Sequence, residues 1–181
     1  KILGFQILTY LSRNIDYLII GKFLGENALG QYSIAYKLLA FPIKTLAGII
    51  NNTLFPVIAN LMPNIKKVKH QYFESVLIIS LITFPISFFI SANANLITNL
   101  FFDTTVWNDL DKLFLIFSLI APFQASNASL GMLAKIQEHG KSIFKISFFT
   151  FIITSISFIL GAQFGLIEAV LFYAVFWILI L

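Results

Sequence analysis

Long apolar stretches separated by short polar segments run the length of the chain. A membrane-crossing helix needs about 20 mostly apolar residues. Six stretches reach or approach that length: 2–20, 32–59, 72–92, 113–134, 143–160 and 166–181. The segments between them, 21–31, 60–71, 93–112, 135–142 and 161–165, each carry Gly, Asn, Asp or clustered charge, the residues that interrupt periodic structure. The pattern predicts an all-α polytopic membrane protein with six transmembrane helices in one bundle over residues 1–181. The solidly apolar runs at 75–82 and 148–153 lack the alternation of a transmembrane barrel. Arg13 and Asp16 within the first stretch, and the lack of a small-residue cleavage site, exclude a signal peptide.

Composition points the same way. Of 181 residues, 59% are hydrophobic, 21 are Phe and only 20 are charged; the mean hydropathy is +0.90. A soluble domain carries roughly 25% charged residues, so lipid is the solvent for most of this surface. Without cysteine there is no disulfide, thiolate metal site or cysteine nucleophile. Lys1 in place of Met, and an apolar stretch that runs to Leu181, suggest a piece of a longer protein.

Charge sets the expected orientation, because Lys and Arg concentrate in short cytoplasmic loops. Lys66, Lys67 and Lys69 occupy the second connection, and Lys135 and Lys141 the fourth. The third holds Asp103, Asp109 and Asp111 against Lys112. The second and fourth connections, with the N-terminal end, are expected in the cytoplasm, and the first, third and fifth outside. The net charge of +4 follows from this asymmetry, so nucleic acid is not an expected partner.

Polar residues inside spans are expensive, about 2.5–3.5 kcal/mol for a central Arg, Lys or Asp, and usually face a bundle interior or a water-filled cavity. Gln6, Tyr10, Arg13, Asp16 and Tyr17 fall on one face of the first span, with Arg13 and Asp16 close enough to pair. Lys37, Lys44 and Asn51 recur every seven residues in the second, Lys37 near enough to an interface to snorkel. Gln124 and Asn127 share a face in the fourth, and Ser147, Thr150, Thr154, Ser157 and Gly161 form a stripe in the fifth that suits close helix packing. Three explanations stay open for the buried charges: neutralised pairs that permit insertion, contacts with a partner protein, or a cavity receiving an anion. Cations with amides and tyrosines suit a phosphate with sugar hydroxyls. Pro42, Pro56, Pro85 and Pro122 lie within spans, and Trp107 and Trp177 read as interfacial anchors. No phosphate loop or nucleophile–base constellation is present, and His70 and His139 stand apart. Neither an enzyme, a metal site nor a cofactor is expected.

The run Arg13-Asn14-Ile15-Asp16-Tyr17-Leu18-Ile19-Ile20-Gly21-Lys22-Phe23-Leu24-Gly25, then Ala28 to Leu38 and Phe41-Pro42, resembles the polysaccharide transporters (Wzx-like oligosaccharide flippases) of the multidrug/oligosaccharidyl-lipid/polysaccharide exporter superfamily. Leu54-Phe55-Pro56, Pro85 and Phe101-Phe102 before Trp107 continue the likeness. The resemblance implies one half of a two-bundle transporter, the second six-helix bundle, in the bacterial inner membrane. It implies translocation of an undecaprenyl-pyrophosphate-linked oligosaccharide repeat unit by alternating access, serving O-antigen, capsule or exopolysaccharide synthesis. A polysaccharide polymerase and a chain-length regulator are then conceivable partners besides lipid. The implied cavity candidates are Arg13, Lys44, Asp16, Lys37, Asn51, Tyr10, Gln124 and Asn127, with Arg13 and Lys44 best placed for pyrophosphate. Two alternatives remain: a drug or small-cation antiporter of the same superfamily, which would use buried carboxylates such as Asp16, and a non-transporting scaffold of a polysaccharide assembly complex.

Overall fold

The structure, a computed structural model, describes residues 2–61, 64–136 and 140–180. Within these, the side chains at 2–9, 12–13, 40–42, 51, 55, 59, 65, 126–136, 140–144, 146–147 and 180 lie outside the description. All regular structure among the described residues is helical: α1 (Ile2–Leu61), α2 (Ile65–Ala92), α3 (Ala94–Phe101), α4 (Leu110–Ile136), α5 (Gly140–Ala162) and α6 (Leu166–Ile180).

The helix α1 is not one rod. At Gly25 the backbone takes φ 85° and ψ −178°, a region open essentially to glycine alone. A continuous helix would separate residues 16 and 32 by about 24 Å, yet the Tyr32 hydroxyl donates to Asp16 Oδ2 at 2.6 Å. Tyr17 likewise meets Tyr32 and Tyr36 edge-on, at 5.4 and 6.2 Å between ring centroids. The chain therefore reverses at Gly25, and residues 2–24 and 26–61 pack as two antiparallel arms. The second arm is interrupted between Leu39 and Ile43, where Pro42 lacks an amide for the helical ladder. A Cβ at Gly25 would meet nothing within 4 Å, so the demand there is conformational rather than steric. Gly25→Ala is expected to lower the stability of the full-length protein by about 1–3 kcal/mol, read as a lower thermal midpoint in detergent.

Helices also run further than the apolar stretches. The basic segment Lys66–Lys69 is the first turn of α2, capped by Asn64, whose side chain accepts the Lys67 amide at 3.2 Å. Ile58 and Val68 are buried together there and join the end of α1 to the start of α2. The acidic segment contains α3 and a short turn in which Asp103 Oδ1 accepts the Thr105 hydroxyl at 2.7 Å and its amide at 3.0 Å. These two bonds, the hydroxyl's first, hold the Asp103 carboxyl below the usual carboxylate range. The stability they contribute is lost as pH falls through that lowered value. Lys112 is pushed up by its hydrogen bond to Asp109 at 3.0 Å.

Gln31, buried, ties the first turn to the third connection. Its amide nitrogen donates to Asn27 and Asn108, each at 3.1 Å, and its oxygen accepts the Asp109 amide at 3.0 Å. Gly30 lies against the Trp107 ring, at 3.6 Å from where its Cβ would be. Trp107 thus packs onto the first turn as well as onto Phe102. The Gly25 turn and the acidic connection share one end of the bundle.

The core lies where α1, α4, α5 and α6 converge, with Ile20, Tyr32, Leu39, Ile43, Leu113, Phe117 and Phe158 essentially inaccessible. The outward faces are equally apolar, with Phe73, Leu81, Phe88, Phe89, Leu100 and Phe101 exposed. Exposed apolar area of that extent has no place in water. Among the described residues, the helix long and apolar enough to cross a bilayer by itself is Lys66–Ala92, and only 22% of its most apolar stretch is buried. A core helix of a soluble protein would be mostly buried, so the open faces of this one suit a lipid surround. Phe148–Ala162 and Leu166–Leu179 are apolar but shorter. The inward face of α2 carries Ser75, Thr83 and Ser87 in steps of eight and four, a hydroxyl row that suits close helix packing.

Candidate functional site

A polar cleft of about 520 Å³ opens among the helices, lined by Asp16, Tyr36, Lys44, Gln124, Thr150, Thr154, Tyr173 and Trp177. Both arms of α1 contribute to it, with α4, α5 and α6. Its size lies within the roughly 300–1,000 Å³ of small-molecule sites.

Lys44 follows the bend in the second arm. Its Nζ donates to the Tyr36 hydroxyl and sits over the Tyr36 ring, 4.5 Å from the centroid. Lys side chains on a helix lean toward its N-terminus, which lets Lys44 reach back two turns to Tyr36. The ring and hydroxyl hold the ammonium in place. Tyr36 is fixed in turn, stacked on Tyr32 at 5.9 Å and edge-on to Phe117 at 5.7 Å.

Asp16 is only 9% exposed. One oxygen takes the Tyr32 hydroxyl, and the other is buried with no hydrogen-bond partner among the described residues. A buried carboxylate oxygen left unpaired is costly, and Asp16 borders the cleft. Gln124 Nε2 donates to the Tyr173 hydroxyl at 2.7 Å, and the Tyr173 ring stacks on Phe158 at 4.9 Å.

The eight candidates from the sequence fall into three groups. Asp16, Lys44 and Gln124 come together in the cleft. Lys37 shares an adjoining groove of about 320 Å³ with Lys44, Tyr17, Tyr36 and Thr45, whereas Tyr10 is exposed and borders neither. The side chains of Arg13, Asn51 and Asn127 lie outside the described residues. The hydroxyl stripe of α5 divides. Thr150 and Thr154 line the cleft. Gly161 serves packing instead, its Cβ position only 2.5 Å from the Ala169 Cα. Trp177, expected as an interfacial anchor, also lines the cleft. Tyr36 and Tyr173 were missed; their signal was a tyrosine one residue before Lys37 and another one turn before Trp177. Among the described residues no group of His, Cys, Asp or Glu could hold a metal ion.

Helices with lipid-facing apolar surfaces around a polar, charged cleft define an integral membrane protein with an internal polar site. The chain belongs to the polysaccharide biosynthesis protein family, whose model matches residues 1–112. That match contains the signature at residues 13–42, and the resemblance to polysaccharide transporters holds. Over 158 residues, 87% of this chain, it is 24% identical to the lipopolysaccharide biosynthesis protein WzxC of Escherichia coli (strain K12), covering 32% of that protein. The teichuronic acid biosynthesis protein TuaB of Bacillus subtilis (strain 168) is 27% identical over 84 residues, 46% of this chain and 17% of its own length. The amylovoran biosynthesis protein AmsL of Erwinia amylovora is 30% identical over 79 residues, 44% of this chain and 20% of its own. The chain thus spans about a third or less of these relatives' lengths. No solved structure matches it.

Proposed function

We propose that this chain forms one six-span bundle of a two-bundle carrier that flips a lipid-pyrophosphate-linked oligosaccharide across the bacterial inner membrane for surface polysaccharide synthesis. The observation that carries the reading is Lys44, poised on Tyr36 at a polar cleft inside a protein of this family. A pyrophosphate headgroup brings about two negative charges into a layer where an unpaired charge is very expensive. A cation facing a polar cleft between helices offsets that expense, and rocking of one bundle against the other would open the cleft to each side in turn. The three relatives are named for lipopolysaccharide, teichuronic acid and amylovoran synthesis, polymers that differ in their sugars, so a shared task in handling a lipid-linked precursor fits all of them. The chain's part is binding and movement rather than bond-making.

A second reading, a small-cation antiporter, draws on Asp16, whose unpaired oxygen at the cleft could receive a cation. Loss of the gene separates the two. The flippase reading expects lipid-linked repeat units to accumulate on the cytoplasmic leaflet and surface polysaccharide to disappear. Normal polysaccharide together with lost cation-driven efflux would overturn it in favour of the antiporter.

The orientation belongs to the same proposal: the basic connections face the cytoplasm, and the Gly25 turn with the acidic connection faces outward. Single cysteines introduced into the full-length protein should react with an impermeant reagent from outside at position 109 and not at 67. The reverse pattern would invert the bundle.

A further inference from the structure

Among the described residues, the helices α4, α5 and α6 bring no charged side chain to the cleft. Their contribution is Gln124, Thr150, Thr154, Tyr173 and Trp177. Hydroxyl and amide donors can serve a phosphate, but the apolar ring faces of Tyr173 and Trp177 offer a bare pyrophosphate nothing. Tyr173 and Trp177 lie one turn apart on α6, so their rings share a face. Tyr173 is held by stacking on Phe158 and by the Gln124 amide. Gln124 donates toward it, so the Tyr173 hydroxyl keeps its own proton to donate elsewhere. Asp16 adds a buried carboxylate with one oxygen that has no hydrogen-bond partner among the described residues.

Rigid aromatic rings beside amide, hydroxyl and carboxylate groups match a sugar, which has an apolar C–H face and a rim of hydroxyls. Aromatic side chains supply a large apolar face with a polar tip, and a carboxylate accepts hydroxyl hydrogens more strongly than a neutral oxygen does. The carboxylate also discriminates. It repels a second carboxylate brought into the same cleft, a repulsive element that sets specificity.

We propose that Tyr173 and Trp177 form a stacking platform for the sugar ring next to the phosphate, that Asp16 accepts hydroxyls of that ring, and that the site therefore takes a neutral hexose and disfavours a uronic acid there. This rests on reading the cleft as a lipid-linked sugar site and names its sugar class.

The test uses full-length protein in phosphatidylethanolamine–phosphatidylglycerol vesicles and three probes: a polyprenyl pyrophosphate, the same lipid bearing one hexose, and the same lipid bearing one hexuronic acid. The wild type should bind the hexose probe about three- to tenfold more tightly than the bare lipid, the range expected of an aromatic contact. It should bind the uronic acid probe more weakly than the hexose probe. Trp177→Ala should bring the hexose-to-bare ratio close to one, and Trp177→Phe should restore part of it. Asp16→Asn should narrow the gap between the hexose and uronic acid probes. Binding of the bare lipid by each variant reports that it folds. If the wild type binds the bare lipid through Lys44 but gains nothing from the hexose, the platform is refuted while the anion site survives. If it binds none of the three, the lipid-linked reading itself fails.

Discussion

Replacing Lys44 by Ala is expected to weaken binding of the lipid-pyrophosphate headgroup about ten- to hundredfold and to reduce surface polysaccharide at unchanged protein level. The magnitude follows from removing one charge-assisted contact, roughly 1.5–3 kcal/mol, with every 1.4 kcal/mol worth a factor of ten. Lys44→Arg should retain more activity than Lys44→Ala, since charge matters more than head shape for a mobile headgroup. Tyr36→Phe should fall between wild type and Lys44→Ala, because it removes the hydroxyl that accepts from Nζ and leaves the ring beneath it. Lys67→Ala, exposed on the first turn of α2, should be nearly silent. Complementation of a null strain, with protein quantified in the membrane fraction, checks the series. Full export by Lys44→Ala would remove the basis of the anion site and move the scaffold reading ahead.

A large effect on stability is expected at Gly161. A Cβ there would lie 2.5 Å from the Ala169 Cα and 2.8 Å from both the Ala169 nitrogen and the Glu168 oxygen. All three atoms are backbone, so no rotamer change relieves the clash, and α5 and α6 must move apart. Overpacking of this kind typically costs about 1–3 kcal/mol. The same two helices hold Thr150, Thr154, Tyr173 and Trp177 at the cleft, so Gly161→Ala should lower both the thermal midpoint in detergent and headgroup binding. Ile159→Ala, on the exposed face of the same helix, should change neither appreciably. Equal midpoints for Gly161→Ala and wild type would mean that α5 and α6 do not pack this closely.

Much of this organisation is legible in the residues. The apolar stretches, and Asp16, Lys44 and Gln124 as polar residues within them that meet at one cleft, accord with spacing and charge. The reversal at Gly25 was harder to place, because residues 21–31 look like an eleven-residue loop until Gln31 is seen binding Asn108 and Asp109. Those partners are 77 and 78 residues away in sequence, beyond the reach of local pattern. The basic segment at 66–69 was read as a loop from its charge; Asn64 caps it into helix. The inward face of α6 was illegible for another reason. A helix apolar all round carries no periodic signal for its buried side, so Tyr173 and Trp177 could be assigned to the cleft only once α4 and α5 were in place. Asp16 shows the same limit: helical spacing offers Arg13 as its partner, whose side chain lies outside the described residues, and gives no sign of the Tyr32 hydroxyl that reaches it from the other arm.

The central claim is movement of a lipid-linked sugar, and reconstitution measures it most directly. Full-length protein is placed in vesicles loaded with a polyprenyl-pyrophosphate oligosaccharide in both leaflets, and the fraction reached by an impermeant sugar oxidant or lectin outside is followed in time. Protein-free vesicles should stop near half, the outer leaflet alone. Vesicles with the wild type should proceed toward complete reaction, and those with Lys44→Ala should do so much more slowly. Wild-type vesicles that stop near half under every imposed ion gradient, while the protein remains folded, would contradict the account.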